Sequence, residues 1–238
     1  MRAIILVGGL GTRLQSVVPD LPKPMAPIRG KPFLAYLVDY LKLQGITSIL
    51  FPVHHLREKI QDYFQDSYAG LSIDYVVETE PLGTGGAIVN ALAYLPAHTA
   101  PVFVLNGDTF VKLNYRAMYA QAEKQQAPFT MALRLVQECS RYGKAIVEND
   151  RIIGFREKGG GGPGLINSGI YLIRPQVFSS FTLPKQFSIE HDFLFPYAAA
   201  LRPLAFITQD YFIDIGIPED YARAQAELCI EVGEVSEK

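Results

Sequence analysis

Apolar positions along the chain change period repeatedly, and each change marks an element. Residues 3–7 form an unbroken, partly β-branched apolar run, the mark of a buried strand, and Gly8 ends it. Residues 33–44 carry apolar side chains at 33, 34, 37, 38 and 41, one face of a helix, which Gly45 stops. The pattern continues with a strand at 48–53, a helix at 56–64 with Ile60 and Phe64 on one side, and a strand at 73–77. It then predicts a helix at 83–95 that opens on glycines, a buried strand at 101–105 and a helix at 114–125. Alternation of this kind predicts an α/β chain with a parallel sheet and helices on both faces.

The rhythm changes after Gln126. Strand-like runs follow at 129–136, 144–147 and 152–157, with Glu148, Asn149 and Asp150 forming a tight turn between the last two. A further strand at 165–173 comes after the glycine-rich stretch 159–164, which fits a lid over a ligand and a plain hinge equally well. Helices are expected at 175–181, 189–200 and 219–230, with strands at 204–207 and 211–213.

At 238 residues the chain is long enough for one large α/β domain, and 49% hydrophobic residues spread along it supply a core. We expect a single domain over 1–238. The net charge of −2 argues against a general nucleic-acid or membrane-surface footprint. Cys139 and Cys229 have no metal-type spacing and suit a reduced chain. The absence of a signal-like N-terminus or a spanning apolar stretch leads to the expectation of a cytoplasmic protein. Apolar residues among 175–200 are a candidate homodimer surface.

Candidate chemistry begins where the first strand ends, in Gly8-Gly-Leu10-Gly11-Thr12-Arg13. Three glycines alone fit an ordinary turn between strand and helix, but a hydroxyl and a guanidinium favour a phosphate chain. No Gly-Lys-Ser/Thr follows at Walker spacing, and position 14 is Leu where a dinucleotide fingerprint needs glycine, so both are excluded. Lys23 stands between Pro22 and Pro24 on a stiffened segment, either as a solvated lysine or aimed at the same phosphates. Asp108 closes a buried strand in Asn106-Gly107-Asp108, which is also a good turn sequence. Asp214 lies among apolar residues, where a buried charge needs a partner. A shared divalent cation, Mg²⁺, satisfies both aspartates. None of His54, His55, His98 and His191 stands in a nucleophile–base pattern, and all are expected to be structural or solvated.

Seven motifs occur in a telling order: Gly8 to Arg13, Leu21-Pro-Lys23-Pro-Met25, Glu80-Pro-Leu-Gly83-Thr84-Gly, Leu105-Asn-Gly-Asp108, Glu157-Lys158, Asn167-Ser-Gly169 and Asp214-Ile-Gly216. In them the chain resembles the sugar-1-phosphate nucleotidyltransferases, over nearly its whole length. Residues 16–27 and 164–167 are most similar to the branch that guanylylates heptose 1-phosphates. The resemblance implies a Rossmann-like, GT-A-like α/β fold with a mixed, mostly parallel central sheet flanked by helices. It also implies that Leu10, Gly11 and Thr12 hold the triphosphate with Arg13, that Gly83 and Thr84 help bind nucleotide, and that Lys23 touches the α-phosphate and the sugar phosphate. Asp108 and Asp214 are implied as Mg²⁺ ligands. Lys158 and Glu157 are implied at the sugar phosphate and hydroxyls, and Gly143 and Asn167 in the sugar pocket. One departure is Gly159, where many relatives have proline after the Glu-Lys pair.

In-line attack of a sugar phosphate on a nucleoside triphosphate needs no side-chain base, only orientation and charge neutralisation, for which Arg13, Lys23, Asp108 and Lys158 are suited. Glu78 lies where uridine- or thymidine-using relatives often have glutamine. A carboxylate only accepts hydrogen bonds and matches the N1–H and 2-amino edge of guanine, so GTP is the expected nucleotide. Mannose 1-phosphate guanylyl transfer and uridylyl transfer to an amino-sugar phosphate are the alternatives. A nucleotide-sugar-binding subunit without turnover is expected to have lost Arg13, Lys23, Asp108 or Asp214, and all four are present.

Overall fold

The opening strand, β1 (Arg2–Leu6), lies between two apolar layers: Ala3 and Ile5 face one hydrophobic cluster and Ile4 the other. The computed structural model of the chain describes residues 1–9, 14, 18–96, 99–157 and 159–232. A small hairpin follows β1, β2 (Pro27–Ile28) and β3 (Lys31–Pro32), turned by Arg29 and Gly30, both at positive φ. Then come α1 (Phe33–Leu43), β4 (Ser48–Val53), α2 (Arg57–Phe64), β5 (Ser67–Tyr68), β6 (Leu71–Val77) and α3 (Gly83–Ala93). The first half ends with β7 (Val102–Asn106), β8 (Thr109–Val111) and α4 (Tyr115–Lys124). The second half supplies β9 (Phe129–Val136), β10 (Lys144–Glu148), β11 (Arg151–Arg156), β12 (Gly164–Ile173), α5 (Phe195–Leu201), β13 (Leu204–Thr208), β14 (Phe212–Asp214) and α6 (Pro218–Glu231).

Among the described residues ten strands make one sheet, ordered β10-β11-β13-β9-β12-β7-β1-β4-β6-β5. The sheet is mixed. β7, β1, β4 and β6 run parallel, because helices carry the chain back between them. β12 runs antiparallel to both β7 and β9, and β10 and β11 form a hairpin on Asn149 and Asp150, both at positive φ. One face of the sheet packs on α1, α2, α4 and α6, and the other on α3, α5 and the segment around Val177 and Phe178.

Two departures from the sequence pattern bear on the site. The helix expected over 189–200 is a π-helical turn, Ile189–Leu194, running into α5. Pro196 has no N–H to donate one turn back, which relaxes the α ladder at that junction. The expected helix at 175–181 is a 3₁₀ turn, Pro175–Ser180. The stretch 175–200 directs Val177, Phe178, Phe187, Ile189, Phe193 and Leu194 into the core. Phe195, 39% exposed, is left as its large exposed apolar side chain among the described residues, which narrows the expected dimer surface. No helix among the described residues is long and apolar enough to cross a membrane.

Candidate active site

The two aspartates singled out by the sequence are brought together by a two-stranded ribbon. β14 pairs antiparallel with β8, so that Asp214 lies opposite Thr109, and Ile215 N–H donates to the Asp108 carbonyl at 3.0 Å. Gly107 fixes the other side of the turn. Its N–H donates to Leu6 O at 2.9 Å, and a Cβ there would stand 2.7 Å from that oxygen and 3.3 Å from Pro24. Glycine at 107 thus joins the ends of β1 and β7 and lets the Lys23-Pro24 segment pack beside Asp108. Lys23 opens a 3₁₀ turn, Lys23–Met25, anchored by buried Pro24 and Met25.

Lys23 Nζ donates to Asp108 Oδ2 at 2.5 Å and to Asp214 Oδ1 at 3.5 Å. Its side chain is only 10% exposed, against 32% and 35% for the two carboxylates. Gly216 N–H also donates to Asp214 Oδ1, at 2.7 Å. Burial and the neighbouring Asp108 push the Asp214 carboxyl above its usual range, while Lys23 and the Gly216 amide oppose them. Two carboxylates around one buried cation make a hard, oxygen-only donor pair. Among the described residues no cluster of three or more His, Cys, Asp or Glu side chains forms, so a metal here must take its remaining ligands from phosphate oxygens and water.

A cavity of about 250 Å³ adjoins the end of β1 on one side, lined by Gly8, Gly9, Pro52, His54, Glu78 and Leu82, with Gly83, Thr84 and Ala87 from α3. Its walls are mostly apolar, with the backbone of Gly8, Gly9 and Gly83 exposed to it. Glu78 is the buried acid in it; burial raises its pKa, against His54 and the Leu82 amide. The His54 ring bonds through Nδ1 to the Glu78 carbonyl at 2.9 Å, a structural tie consistent with the sequence reading of that residue. Gly83 and Thr84 line this cavity, but the glycines around them answer chiefly to packing. Phe187 O accepts from Gly85 N–H at 2.9 Å, so the start of α3 is capped by protein. A Cβ on Gly83 would meet Phe187 O at 2.5 Å, and one on Gly85 would meet the Phe187 ring at 2.1 Å.

A second cavity of about 230 Å³ opens on the other side of Asp214. Gly143 and Asn167 line it, as do Arg141, Tyr142, Glu190 and His191, none of which the sequence marked for binding. Asn167 reaches it through an irregularity in the β12–β9 pairing between Asn167 and Tyr171. Gly169 permits that irregularity: its φ is +71°, and a Cβ would stand 2.5 Å from Asn106 Nδ2. His191 lies in the first part of the helical turn Ile189–Leu194, its N–H donating to Ser188 Oγ. It also borders the cavity, a position the sequence did not signal.

Glu157 is exposed just past β11 and does not line either cavity. Leu10, Gly11, Thr12, Arg13, His98 and Lys158 lie outside the described residues.

The mixed sheet thus carries one cavity at the end of β1, a second beside Asp214, and the Asp108–Lys23–Asp214 cluster. Residues 2–231 match the model of the nucleotidyl transferase family, and the chain belongs to that family. It is 46% identical over 228 residues to D-glycero-alpha-D-manno-heptose 1-phosphate guanylyltransferase of Aneurinibacillus thermoaerophilus, covering 96% of this chain and 98% of that one. Identity to the protein of the same description from Campylobacter jejuni is 45% over 222 residues, covering 93% and 97%. Crystal structures of HddC from Yersinia pseudotuberculosis superpose with TM-scores of 0.83 and, complexed with GMP-PN, 0.81, at 38% identity and covering 95% of this chain and 98% of that one.

Proposed function

We propose that the chain transfers the guanylyl group of GTP to D-glycero-D-manno-heptose 1-phosphate, releasing pyrophosphate and forming a GDP-heptose for surface polysaccharide. The observation that carries this reading is the single ammonium of Lys23 bonded to both Asp108 and Asp214, in a protein with a largely apolar cavity at the end of β1 and a cavity rich in polar side chains beside Asp214. The relatives described as heptose 1-phosphate guanylyltransferases support the same choice of substrates. Residues 1–126 form the nucleotide half and 127–238 the sugar half.

Asp108 and Asp214 are suited to hold Mg²⁺, which supplies charge neutralisation at the reacting phosphates when bound. Lys23 donates to the α-phosphate and to the sugar phosphate, drawing the two anions together. Arg13 pairs with the β- and γ-phosphates over the backbone of Leu10, Gly11 and Thr12. Glu78 accepts from the guanine edge, beside Gly83 and Thr84. Lys158 and Glu157 serve the sugar side, with Gly143 and Asn167 in the wall of its pocket. The sugar phosphate is ionised at neutral pH, so no residue acts as general base. A cytoplasmic location accompanies this chemistry.

Pyrophosphate release, measured with four nucleoside triphosphates against heptose, mannose, glucose and N-acetylglucosamine 1-phosphates, tests the reading. The expected optimum is GTP with heptose 1-phosphate. A preference for UTP or for mannose 1-phosphate contradicts it.

A further inference from the structure

Asn167 stands in the second cavity with its amide already committed. Nδ2 has two hydrogens, and both are used: one goes to Tyr171 Oη at 2.7 Å and the other to Glu190 Oε1 at 2.6 Å. Oδ1 accepts from Gly169 N–H at 2.9 Å. A sugar entering the cavity therefore finds no free donor on Asn167. Besides the second lone pair of Oδ1, what Asn167 presents to the cavity is the carboxylate it holds, that of Glu190.

Glu190 is fixed from its backbone side as well. Thr84 Oγ1 accepts from Ile189 N–H at 3.0 Å, Ser188 Oγ from His191 N–H at 3.2 Å, and Asp192 Oδ2 from Ser188 N–H at 2.7 Å. These bonds pin the residues on both sides of Glu190 in the first part of a π-helical turn, a geometry often found where a side chain must be re-aimed. Among the described residues Oε2 of Glu190 has no hydrogen-bond partner, and Oε1 keeps a lone pair beyond the one given to Asn167. A half-buried carboxylate, oriented by an amide and open on one side, is built to accept hydrogen bonds from hydroxyls.

Resting on the heptose reading above, we propose that Glu190 is the specificity residue for the exocyclic C6–C7 diol, the group that separates a heptose from mannose. The anomeric phosphate must lie toward Asp214, Asp108 and Lys23. The C7 hydroxyl is the sugar atom most bonds removed from that phosphate. Glu190 and Asp214 line the same cavity from different elements, Glu190 from the π-helical turn and Asp214 from β14, and Glu190 is next in sequence to exposed His191, whose ring packs edge to face on that of Phe195 at 5.2 Å. A rotating terminal diol turns both O–H bonds toward one carboxylate. A hexose lacks the second hydroxyl and leaves an acceptor unmatched. Asn167 is then a positioning residue: it touches Glu190, and Glu190 touches the sugar.

The test is steady-state kinetics of wild type, Glu190→Gln and Glu190→Asp with heptose, 7-deoxyheptose and mannose 1-phosphates. Glutamine keeps the shape and the Asn167 contact but replaces the free acceptor with a donor. The expected result is a fall of about 10- to 100-fold in kcat/KM for heptose 1-phosphate, mostly in KM, with KM for GTP unchanged. Activity on the 7-deoxy and mannose substrates is expected to change little, so that wild-type discrimination disappears. The aspartate variant, with its charge drawn back, is expected to fall between. Equal losses on all three sugars, or no loss, overturn the assignment of Glu190 alone. Wild-type protein that ignores heptose 1-phosphate while turning over another sugar overturns the functional reading, and this inference with it.

Discussion

The cavity at the end of β1 and the cavity beside Asp214 are built in opposite ways. The one along the first half is walled by Gly8, Gly9, Pro52, Leu82 and Gly83, with Glu78 the buried acid among them. The one in the second half is walled by side chains bonded to each other: Asn167 to Tyr171 and Glu190, and Arg141 to Asp220 at its edge. On the proposed reading the first cavity takes the base: a flat, rigid ring is recognised by shape and by one edge, which apolar walls and a single acceptor provide. A polyhydroxylated ring must be recognised hydroxyl by hydroxyl, and this needs oriented acceptors. The difference also assigns vulnerability. The first cavity depends on close approach of backbone, the second on a hydrogen-bond network.

The strongest way to break the comparison is to disable the aspartate pair on which the proposed transfer depends. Asp108→Asn keeps the shape of the turn and deletes one charge, and it is expected to lower turnover at least about a hundredfold, read as pyrophosphate release. A substitution where the halves dock is next in size. Gly85→Ala places a methyl against the Phe187 ring, with an expected cost of about 1–3 kcal/mol. At roughly 2–4 °C of Tm per kcal/mol for a chain of this size, a thermal melt detects it. Because Phe187 is three residues from Glu190, the same variant is expected to raise KM for both substrates.

Glu78→Gln sharpens the contrast by touching one cavity only. The expected loss in kcat/KM with GTP is about tenfold, with a gain for UTP, and KM for the sugar phosphate unchanged. An unaltered nucleotide preference contradicts the assignment of Glu78. The smallest effect is the pH dependence of that acid. Burial raises its folded-state pKa, so between the usual carboxylate range and the raised value the folded protein binds more protons than the unfolded chain. Its contribution to stability therefore falls as pH rises through that window. Removing the charge is expected to stabilise the protein relative to wild type near neutrality, with the difference in Tm vanishing in acid.

Much of this was legible in the sequence, for reasons that differ by element. The strands at 48–53 and 129–136 have the bounds the apolar pattern assigned, because burial on both faces over most of their length leaves a largely apolar run. β8 carried no such sign. It is three residues long, and its partner β14 lies about a hundred residues away in the chain, so the ribbon that joins Asp108 to Asp214 is a long-range fact. The glycines at 83, 85 and 86 were visible, but their main reason was not: it is the approach of Lys185 and Phe187 from the other half. Glu190 was hidden in Ser-Ile-Glu-His-Asp, which reads as a helix start. Its place in the cavity comes from a bond to Asn167, 23 residues earlier.

Manganese binding in the presence of a non-hydrolysable GTP analogue, followed by the loss of the free-ion EPR signal, bears most directly on whether Asp108 and Asp214 serve one cation. Wild type is expected to bind the ion, and Asp108→Asn and Asp214→Asn are each expected to lose most of that affinity. Wild-type affinity in either variant contradicts a centre shared by the two carboxylates.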